Sequence, residues 1–565
     1  MSALTRLRFG DVCWRVRSDV AQLLFDASGL RLASWLHSGQ ARVVKQGPHR
    51  TVYHVQLDGR SIYIKHFRVA DTRAMLSQWA QSSKGRREWD RAERAAARAI
   101  PTVVPIALGE QRRAGFVFEN YLVTEGIEHV EPLDRFVQQT FPKLSAERQA
   151  RIRGPLTDGL AELVARLHEA GVLHPDLHSG NVLIRLHDSN AIELFLIDLQ
   201  EANPAGRAGW RPSRENLLAF GLFFFTMARR LDRARFLRRY LEWRAHLGID
   251  WRVESKRLEI DLRRKAFRFW RKLDYRCTSN NRRFCYRNIE SAHGFAVSEI
   301  DEQTILALLR DPDAPFRVAS AEVLKDSPSS DVVCLPMTIG DTRAPEIYKR
   351  FNCPKRLDAL RATLHHSPAL RAWHAGHGLL IRRIPTPRPL AVIERLHGPF
   401  VRESYLITQA IPGATSLKDY LEEIVARLSP VARRHRIRWL LAELGRFLRQ
   451  MHERNISHRD MKASNFLLAP ADPVVETPMI YLIDLAGVQI WRTLPASRRV
   501  QNLTRVVTSL QSYSLLSRAD FLRLLCAYQP GALRHRERWK SLWRDIHARV
   551  EQKIARNNKL NRPVA

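Results

Sequence analysis

The sequence has few cysteines, and their spacing does not match a metal-binding or redox motif. Six cysteines are scattered over 565 residues without any C-x-x-C pair. This argues against a disulfide scaffold or a zinc ribbon and is typical of a reducing compartment. Long apolar runs are also missing: the longest covers residues 217–228, whereas a membrane span needs about 20 residues. We therefore expect a core helix at 217–228, and no secretion signal, because the first residues lack an apolar segment.

Acidic residues are scarce relative to basic ones. Lys and Arg number 92 against 58 Asp and Glu, which gives a formal net charge of +34. A hydrophobic content of 45% excludes a wholly disordered chain. Two stretches, 252–287 and 534–562, carry 13 and 10 basic residues against 4 and 3 acidic ones. This concentrated excess predicts an anionic partner: nucleic acid, anionic lipid or a phosphorylated substrate.

The chain repeats itself at an offset of 284 residues. Lys65-His-Phe recurs as Lys349-Arg-Phe at this offset. The other principal matches, at offsets of 284 to 286, pair His174, Asp176, Asn181 and Asp198 with His458, Asp460, Asn465 and Asp484. Twice the period is nearly the whole chain, so the sequence predicts a duplicated domain. We place copy one at residues 1–290 and copy two at 291–565, each ending in one of the basic stretches.

Local patterns predict the elements around the repeated residues. Alternating apolar residues over 53–57 and up to Lys65, on either side of Asp58-Gly59, predict a β-hairpin with Lys65 on its second strand. Helical spacing of apolar residues over 156–167 and 440–451 predicts a helix before each His-x-Asp segment. Short apolar runs before Asp198 and Asp484 predict buried strands.

The order of the repeated residues is the order that phosphoryl transfer requires. A strand lysine contacts the α- and β-phosphates and a helix glutamate holds that lysine. A first aspartate orients the acceptor hydroxyl, and an asparagine and a last aspartate bind Mg²⁺. In copy one the set is Lys65, Glu88, Asp176, Asn181 and Asp198, and in copy two it is Lys349, Asp460, Asn465 and Asp484. The set predicts a phosphotransferase that uses ATP and Mg²⁺.

Both copies resemble the protein-kinase-like superfamily. HPDLHSGNVLI (His174–Ile184) resembles the loop of aminoglycoside-phosphotransferase-like and lipopolysaccharide kinases, and HRDMKASNFLL (His458–Leu468) is closer to protein kinases. GLLIRRIPTPRPLA from Gly378, followed by Ser404-Tyr-Leu-Ile-Thr, resembles the bacterial lipopolysaccharide core kinase family of heptose, Kdo and InaA-like proteins. The resemblance implies an α+β fold of two tandem protein-kinase-like bilobal domains, each with a β-rich N-lobe and a helical C-lobe.

The nucleotide-binding segments depart from the kinase pattern, and copy two departs further. Copy one has Gly47 in its predicted phosphate loop, whereas the corresponding segment of copy two, residues 326–330, has no glycine. Backbone phosphate binding needs unhindered N–H groups. Glu88 corresponds to Ala372, so copy two lacks the helix glutamate. We therefore expect copy one, with Gly47 and with Glu88 to orient Lys65, to be the main catalyst.

The leading functional hypothesis is phosphate transfer from ATP to a sugar hydroxyl of a lipopolysaccharide core or a related glycolipid. Such an acceptor is anionic, which fits the basic excess. Three alternatives stay open. His458-Arg-Asp460 with Lys462 is typical of a Ser/Thr-type protein kinase, and the degenerate loops fit a regulatory or scaffold protein with pseudokinase domains. Aromatic residues within the basic stretch 252–287 fit nucleic-acid binding, but their helical spacing assigns several to a core, so we expect no nucleic-acid partner.

The basic ends of both copies also predict a location. Trp270, Trp539 and Trp543 lie within them, and tryptophan favours membrane interfaces. Basic side chains near an anionic membrane surface contribute about 1 kcal/mol each. We expect a cytoplasmic protein attached peripherally to the inner face of the inner membrane.

Overall fold

The computed structural model divides the chain into two compact units, residues 1–266 and 267–565. The structure describes residues 3–57, 59–68, 82–113, 116–174, 176–198, 203–204, 208–352, 366–398, 400–472, 477–529 and 536–559. Asp58 of the predicted hairpin turn, and residues 199–200 after Asp198, lie outside these ranges. The division precedes the predicted boundary at 290/291, because the strand Phe284–Ile289 already belongs to the sheet of the second unit.

The first unit begins with a seven-stranded antiparallel sheet in the order β1-β2-β8-β9-β7-β6-β5. The strands of this unit are β1 Leu4–Phe9, β2 Val12–Arg17, β3 Phe25–Asp26, β4 Gly29–Leu30, β5 Ala41–Gln46, β6 Arg50–Leu57, β7 Arg60–Arg68, β8 Pro105–Arg113, β9 Phe116–Glu125, β10 Glu131–Pro132, β11 Val172–Leu173, β12 Val182–Leu186, β13 Ile192–Leu196 and β14 Asn203–Pro204. The predicted hairpin is confirmed: β6 pairs with β7, and Lys65 lies opposite Val52. Alternation in β6 buries Tyr53, Val55 and Leu57 on one face.

Helices form the rest of the first unit. They are α1 Ala21–Leu24, α2 Leu32–His37, α3 Lys84–Ala97, α4 Leu133–Arg135, α5 Ala146–Glu169, α6 Trp210–Met227, α7 Arg230–Trp243 and α8 Trp251–Asp274, which crosses the division between the units. Ser145 caps α5 by accepting a hydrogen bond from the Arg148 N–H at 3.2 Å. The apolar face of α5 is buried and α6 covers 217–227, with Ala228 as its C-cap, so both predicted helices are confirmed.

The second unit repeats this architecture. Its seven-stranded antiparallel sheet has the order β15-β16-β20-β21-β19-β18-β17, the same arrangement strand for strand. The strands are β15 Phe284–Ile289, β16 Ala292–Val297, β17 Glu322–Lys325, β18 Ser330–Ile339, β19 Thr342–Asn352, β20 Pro389–His397, β21 Phe400–Gln409, β22 Thr415–Ser416, β23 Ile456–His458, β24 Phe466–Ala469, β25 Met479–Leu482 and β26 Val488–Ile490. The helices are α9 Glu302–Arg310, α10 Pro368–Ile381, α11 Leu417–Asp419, α12 Pro430–Glu453, α13 Ala496–Leu510, α14 Arg518–Tyr528 and α15 Arg536–Lys559.

Each unit is therefore an α+β, bilobal kinase-like domain with a sheet-rich N-lobe and a helical C-lobe. Their hydrophobic cores differ. Among the described residues, the buried core of the first unit separates into a sheet cluster, a helical cluster and a small cluster of Phe67, Trp89, Leu108 and Leu122. In the second unit one cluster extends from the sheet through α10 to α12 and α13.

Two membrane-related expectations can be compared with the fold. Within the described ranges, none of the helices combines the length and the apolar character needed to cross a bilayer. Trp270 is buried beneath the guanidinium of Arg382, which lies 5.3 Å from its ring centre. It packs inside the protein, so the expectation that Trp270 contacts lipid is wrong. Trp539 and Trp543 on α15 are partly exposed.

Candidate active site

In copy one the strand lysine, the helix glutamate and the last aspartate meet between the lobes. Lys65 projects from β7 and forms an ion pair with Glu88 of α3. Its Nζ also lies 3.5 Å from Asp198 Oδ1, just beyond the end of β13. Helix α3 is fixed in place by Ser83, whose hydroxyl accepts a hydrogen bond from the Arg86 N–H. The structure thus brings together three residues that lie up to 133 positions apart in the chain.

Burial and charge set the protonation of this cluster. Glu88 is only 2% exposed. Burial raises the pKa of Glu88, although the neighbouring Lys65 opposes this shift. Burial also disfavours the ionised form of Asp198, but the charges of Lys65 and Arg50 outweigh it and lower the pKa of Asp198. Asp198 therefore stays anionic at neutral pH, as a metal ligand must.

Arg50 lies in the candidate site, and the sequence reasoning missed it. It begins β6, and its Nη1 lies 3.5 Å from both carboxylate oxygens of Asp198. The predicted phosphate loop connects β5 and β6, and the Gly47 N–H donates to the Arg50 carbonyl at 2.9 Å. A Cβ on Gly47 would meet only ordinary contact, 3.5 Å from that carbonyl. Gly47 therefore lies in the expected turn, but backbone geometry does not require glycine there.

The catalytic loop of copy one presents Asp176 to solvent. Its side chain is 72% exposed and lies 3.5 Å from His178 Nε2. Asn181 donates from Nδ2 to the Asp176 carbonyl at 3.0 Å. His174 hydrogen-bonds through Nε2 to the Asp198 carbonyl at 3.1 Å, and Asp198 adopts a left-handed backbone (φ 61°). This hydrogen bond holds the loop that carries Asp176 against Asp198.

A buried asparagine supports this loop in each copy, and the sequence reasoning also missed it. In copy one Asn216 of α6 accepts from the His174 N–H at 3.3 Å and donates to the His174 carbonyl at 2.7 Å. Its Oδ1 lies 3.1 Å from His168 Nε2. Asn502 makes the same three contacts with His458 and His452, at 3.2, 2.7 and 3.2 Å. The signal was present in the sequence, because the two asparagines lie 286 residues apart, the same offset as Asp198 and Asp484.

Copy two arranges its lysine differently. Lys349 Nζ pairs with Asp484 Oδ1 at 2.8 Å. The position of Glu88 is taken by Ala372, which is fully buried in α10. Among the described residues, Asp484 is the only carboxylate within ion-pairing distance of Lys349. The expected loss of the helix glutamate thus leaves the lysine bound to the predicted metal ligand.

The loops of copy two also differ from those of copy one. The turn between β17 and β18 is closed by Ser327, whose hydroxyl donates to the Ser330 carbonyl at 2.8 Å. In the catalytic loop, Lys462 Nζ lies 3.1 Å from Asp460 Oδ2. Asn465 donates to the Asp460 carbonyl at 2.7 Å, and His458 Nε2 lies 3.0 Å from the Asp484 carbonyl.

The donor sets of both copies are compatible with Mg²⁺ and a nucleotide. Asn181 with Asp198, and Asn465 with Asp484, offer amide and carboxylate oxygens, which are the hard ligands that Mg²⁺ takes together with phosphate oxygens. Among the described residues there is no cluster of three or more His, Cys, Asp or Glu side chains suited to a metal. Each copy therefore offers two side chains with oxygen ligands for Mg²⁺, as in a site where the phosphates of a nucleotide supply further ligands. In copy one Lys65 is shared between Glu88 and Asp198, whereas in copy two the ion pair of Lys349 is with Asp484.

Comparisons with known proteins agree with this geometry. The lipopolysaccharide kinase (Kdo/WaaP) family matches the chain over residues 32–240 and again over 354–528. The lipopolysaccharide core heptose(I) kinase WaaP of Escherichia coli strain K12 is 29% identical over 159 residues, covering 28% of this chain and 58% of that protein. A second Escherichia coli WaaP is 28% identical over 165 residues, covering 29% of this chain and 61% of that protein. The chain thus matches less than two thirds of the length of these relatives.

Among solved structures, WaaP in complex with acyl carrier protein is 20% identical, with 44% of this chain and 98% of that chain covered at a TM-score of 0.34. The BubR1 kinase domain is 13% identical, with 35% and 50% covered at a TM-score of 0.21. The family match covers more than half of the chain and falls once in each copy. The chain therefore belongs to the lipopolysaccharide kinase (Kdo/WaaP) family, in tandem duplication.

Proposed function

We propose that this protein transfers the γ-phosphate of ATP to a sugar hydroxyl of a lipopolysaccharide core or a related glycolipid, with copy one as the main catalyst. The observation that carries the proposal is the joining of Lys65 to both Glu88 and Asp198 in copy one. A lysine held in this way is positioned for the α- and β-phosphates. The lipopolysaccharide acceptor is proposed from the family and from the net charge of +34.

Each residue of copy one then has a defined task. Lys65 binds the phosphates and Glu88 positions Lys65. Asn181 and Asp198 would hold Mg²⁺, which would supply positive charge to the transferring group. Asp176 is exposed, so it is available to accept or orient the proton of an incoming hydroxyl. In copy two Lys349, Asp460, Asn465 and Asp484 have the corresponding tasks, but the lysine must leave Asp484 before it can serve a nucleotide.

The test measures transfer from [γ-³²P]ATP to purified core glycolipid from which phosphate has been removed. The intact chain is compared with its Asp176→Asn and Asp460→Asn variants. The exposed Asp188, in the same lobe as Asp176, provides the matched control as Asp188→Asn. We expect Asp176→Asn to lose most of the transfer, and the other two variants to retain most of it. Loss in Asp460→Asn with full activity in Asp176→Asn would reverse the roles of the copies, and loss in neither would refute phosphotransfer by these loops.

A protein acceptor is the second candidate, supported by one contact. Lys462 lies two residues after Asp460 and forms an ion pair with it at 3.1 Å, which places a cation where the transferring phosphate of a protein kinase would lie. The same assay with casein in place of glycolipid separates the two acceptors. Labelling of casein but not of glycolipid, abolished by Asp460→Asn, would favour the protein kinase.

We propose further that the protein attaches peripherally to the cytoplasmic face of the inner membrane through α15. The support is the pair Trp539 and Trp543 on this basic helix, both partly exposed. High salt should release the protein from membrane pellets, because the attraction is electrostatic. Trp543→Ala should weaken binding to vesicles that contain anionic lipid. Retention that only detergent relieves would contradict peripheral attachment.

A further inference from the structure

Basic side chains surround the catalytic loop of copy two. Lys462 contacts the Asp460 carboxylate at 3.1 Å. Arg505 reaches the loop from α13, where its Nη1 donates to the His458 carbonyl at 3.5 Å. Five cations interact through their charges here with one another or with Asp460: Arg459, Lys462, Arg498, Arg505 and Lys553. One carboxylate cannot neutralise five cations.

Two of these cations, Arg505 and Lys553, are partly buried, and the charge of the Asp460 carboxylate acts favourably on both. Helix α15 packs against α13, which brings Lys553 close to Arg505. Burial lowers the pKa of Lys553, the charge of Arg505 acts in the same direction, and the charge of Asp460 opposes both. In the part of the chain that the structure describes, neither side chain lies within ion-pairing distance of a carboxylate. Holding two like charges together away from water costs free energy, and a bound anion would recover it.

Copy one has no equivalent of this cluster on its loop or on the helix behind it. At the repeat offsets of 284 and 286, the counterparts of Arg459, Lys462, Arg498 and Arg505 are Pro175, His178, Pro212 and Ala219. Within the described residues, the ion pair recorded for Asp176 is with His178 alone. These four cations on the loop and on α13 are therefore particular to copy two, whereas the position of Lys553 is also basic in copy one: at the offset of 285 that aligns α15 with α8, it corresponds to Arg268.

We propose that the catalytic loop of copy two binds its acceptor through an anionic group, a phosphate monoester or a carboxylate, held between Arg505 and Lys553 beside Asp460. The inference rests on the proposed phosphotransfer and assigns the substrate class of copy two. The planar guanidinium of Arg505 can donate two parallel hydrogen bonds to either anion, and the ammonium of Lys553 adds a second positive charge. Lys462 and Arg459 lie on the loop itself, closer to the reacting hydroxyl.

This assignment gives copy two a place in a reaction sequence. A phosphate monoester on a sugar is the product of a phosphoryl transfer, so a copy that requires one acts after a first phosphorylation. A carboxylate would instead require an acidic sugar in the acceptor. In both cases the acceptor of copy two carries negative charge that an acceptor of copy one does not need: one charge for a carboxylate, and about 1.5 to 2 for a phosphate monoester at pH 7.

Binding to the intact chain, without ATP, tests the proposal separately from catalysis. The probes are mannose 6-phosphate, galacturonate and mannose, measured by isothermal titration calorimetry at low ionic strength. The variants are Arg505→Gln and Lys553→Gln, which remove one charge each outside the residues assigned to catalysis. Lys540→Gln is the matched control: it lies on the same exposed helix, 13 residues earlier, or about 20 Å along the axis. Melting temperatures of all variants confirm that each one is folded.

We expect one of the anionic sugars to bind the chain and mannose not to bind. A charge-assisted hydrogen bond is worth about 1.5–3 kcal/mol, so each of the two variants should weaken binding roughly tenfold or more. Lys540→Gln should bind as the unaltered chain does. Preference for mannose 6-phosphate identifies a phosphate site, and preference for galacturonate identifies a carboxylate site. Equal binding of all three sugars, or an equal loss in Lys540→Gln, would overturn the proposal. Binding without any phosphate transfer would leave this site standing and refute the proposed function instead.

Discussion

Replacement of Glu88 by Gln tests the arrangement that distinguishes the two copies. Without this carboxylate Lys65 retains Asp198, which is 3.5 Å away, and copy two shows the outcome: Lys349 pairs with Asp484 at 2.8 Å. The lysine would thus move by a substantial fraction of 1 Å away from the phosphates. Misplacement of about 1 Å costs on the order of 10²-fold in rate, so we expect Glu88→Gln to lower kcat about 10- to 100-fold.

The assay is phosphate transfer to core glycolipid in an Asp460→Asn background, so that copy two contributes nothing. Glu93→Gln is the control on the same helix, because Glu93 lies five residues after Glu88 on α3 and is partly buried. Stability of the first unit should change little, because the ion pair that is lost and the burial cost of Glu88 oppose each other. Full activity in Glu88→Gln, or an equal loss in Glu93→Gln, would refute the reasoning.

The pH profile gives a second readout of the same ion pair. Burial raises the pKa of Glu88 despite the opposing charge of Lys65. As the pH falls, Glu88 takes up a proton at a higher pH than an exposed glutamate would, and Lys65 then loses its charged partner. The acid limb of kcat should therefore lie above the range of an ordinary glutamate, and Glu88→Gln should remove that limb. A profile with the same acid limb in both proteins would contradict the assignment.

Two further predictions concern stability. Asn502→Ala removes three hydrogen bonds of about 1 kcal/mol each, so the free energy of unfolding of the second unit should fall by about 3 kcal/mol in urea denaturation. Asn216→Ala should lower the free energy of unfolding of the first unit by a similar amount. A decrease well under 1 kcal/mol in either variant would contradict the role of these asparagines in supporting the loop. Gly445→Ala would place a Cβ 2.3 Å from the Leu524 carbonyl. It should lower the melting temperature of the second unit at a cost of about 1–3 kcal/mol, whereas Gly209→Ala, with nothing within 4 Å, should leave that of the first unit unchanged.

The sequence predicted the repeated core of the site because a common offset marks residues that share a task. Lys65, Asp198 and their counterparts were found in this way, and the structure brings each pair together. Arg50 was missed for the same reason: the residue opposite Phe351 in copy two, where Arg50 lies opposite Phe67, is Ser330. A residue present in one copy only leaves no repeat signal.

The partner of Lys349 could not be predicted from sequence for a different reason. The loss of the glutamate at Ala372 is visible in the sequence, but its consequence depends on the distance to Asp484, which a linear pattern does not contain. The position of the domain boundary could not be read from the sequence for a similar reason. The repeat gives the length of the duplicated unit but not the residue at which each copy begins. Only strand pairing shows that β15 belongs to the second sheet.

The helices that carry the Glu88 and Ala372 positions show why the copies diverged on the nucleotide side. Helix α3 has eight charged residues among its 14, whereas α10 has one, Arg371. On α10, Gly376 and Gly378 allow close approach: an added Cβ would lie 2.4 Å from Pro389 and 2.5 Å from Ile490. Helix α10 therefore packs between the sheet and the segment after Asp484 as part of one continuous core. A glutamate at position 372 would therefore have to displace packed side chains of this core, whereas Glu88 lies on a helix that is charged at eight of its 14 positions.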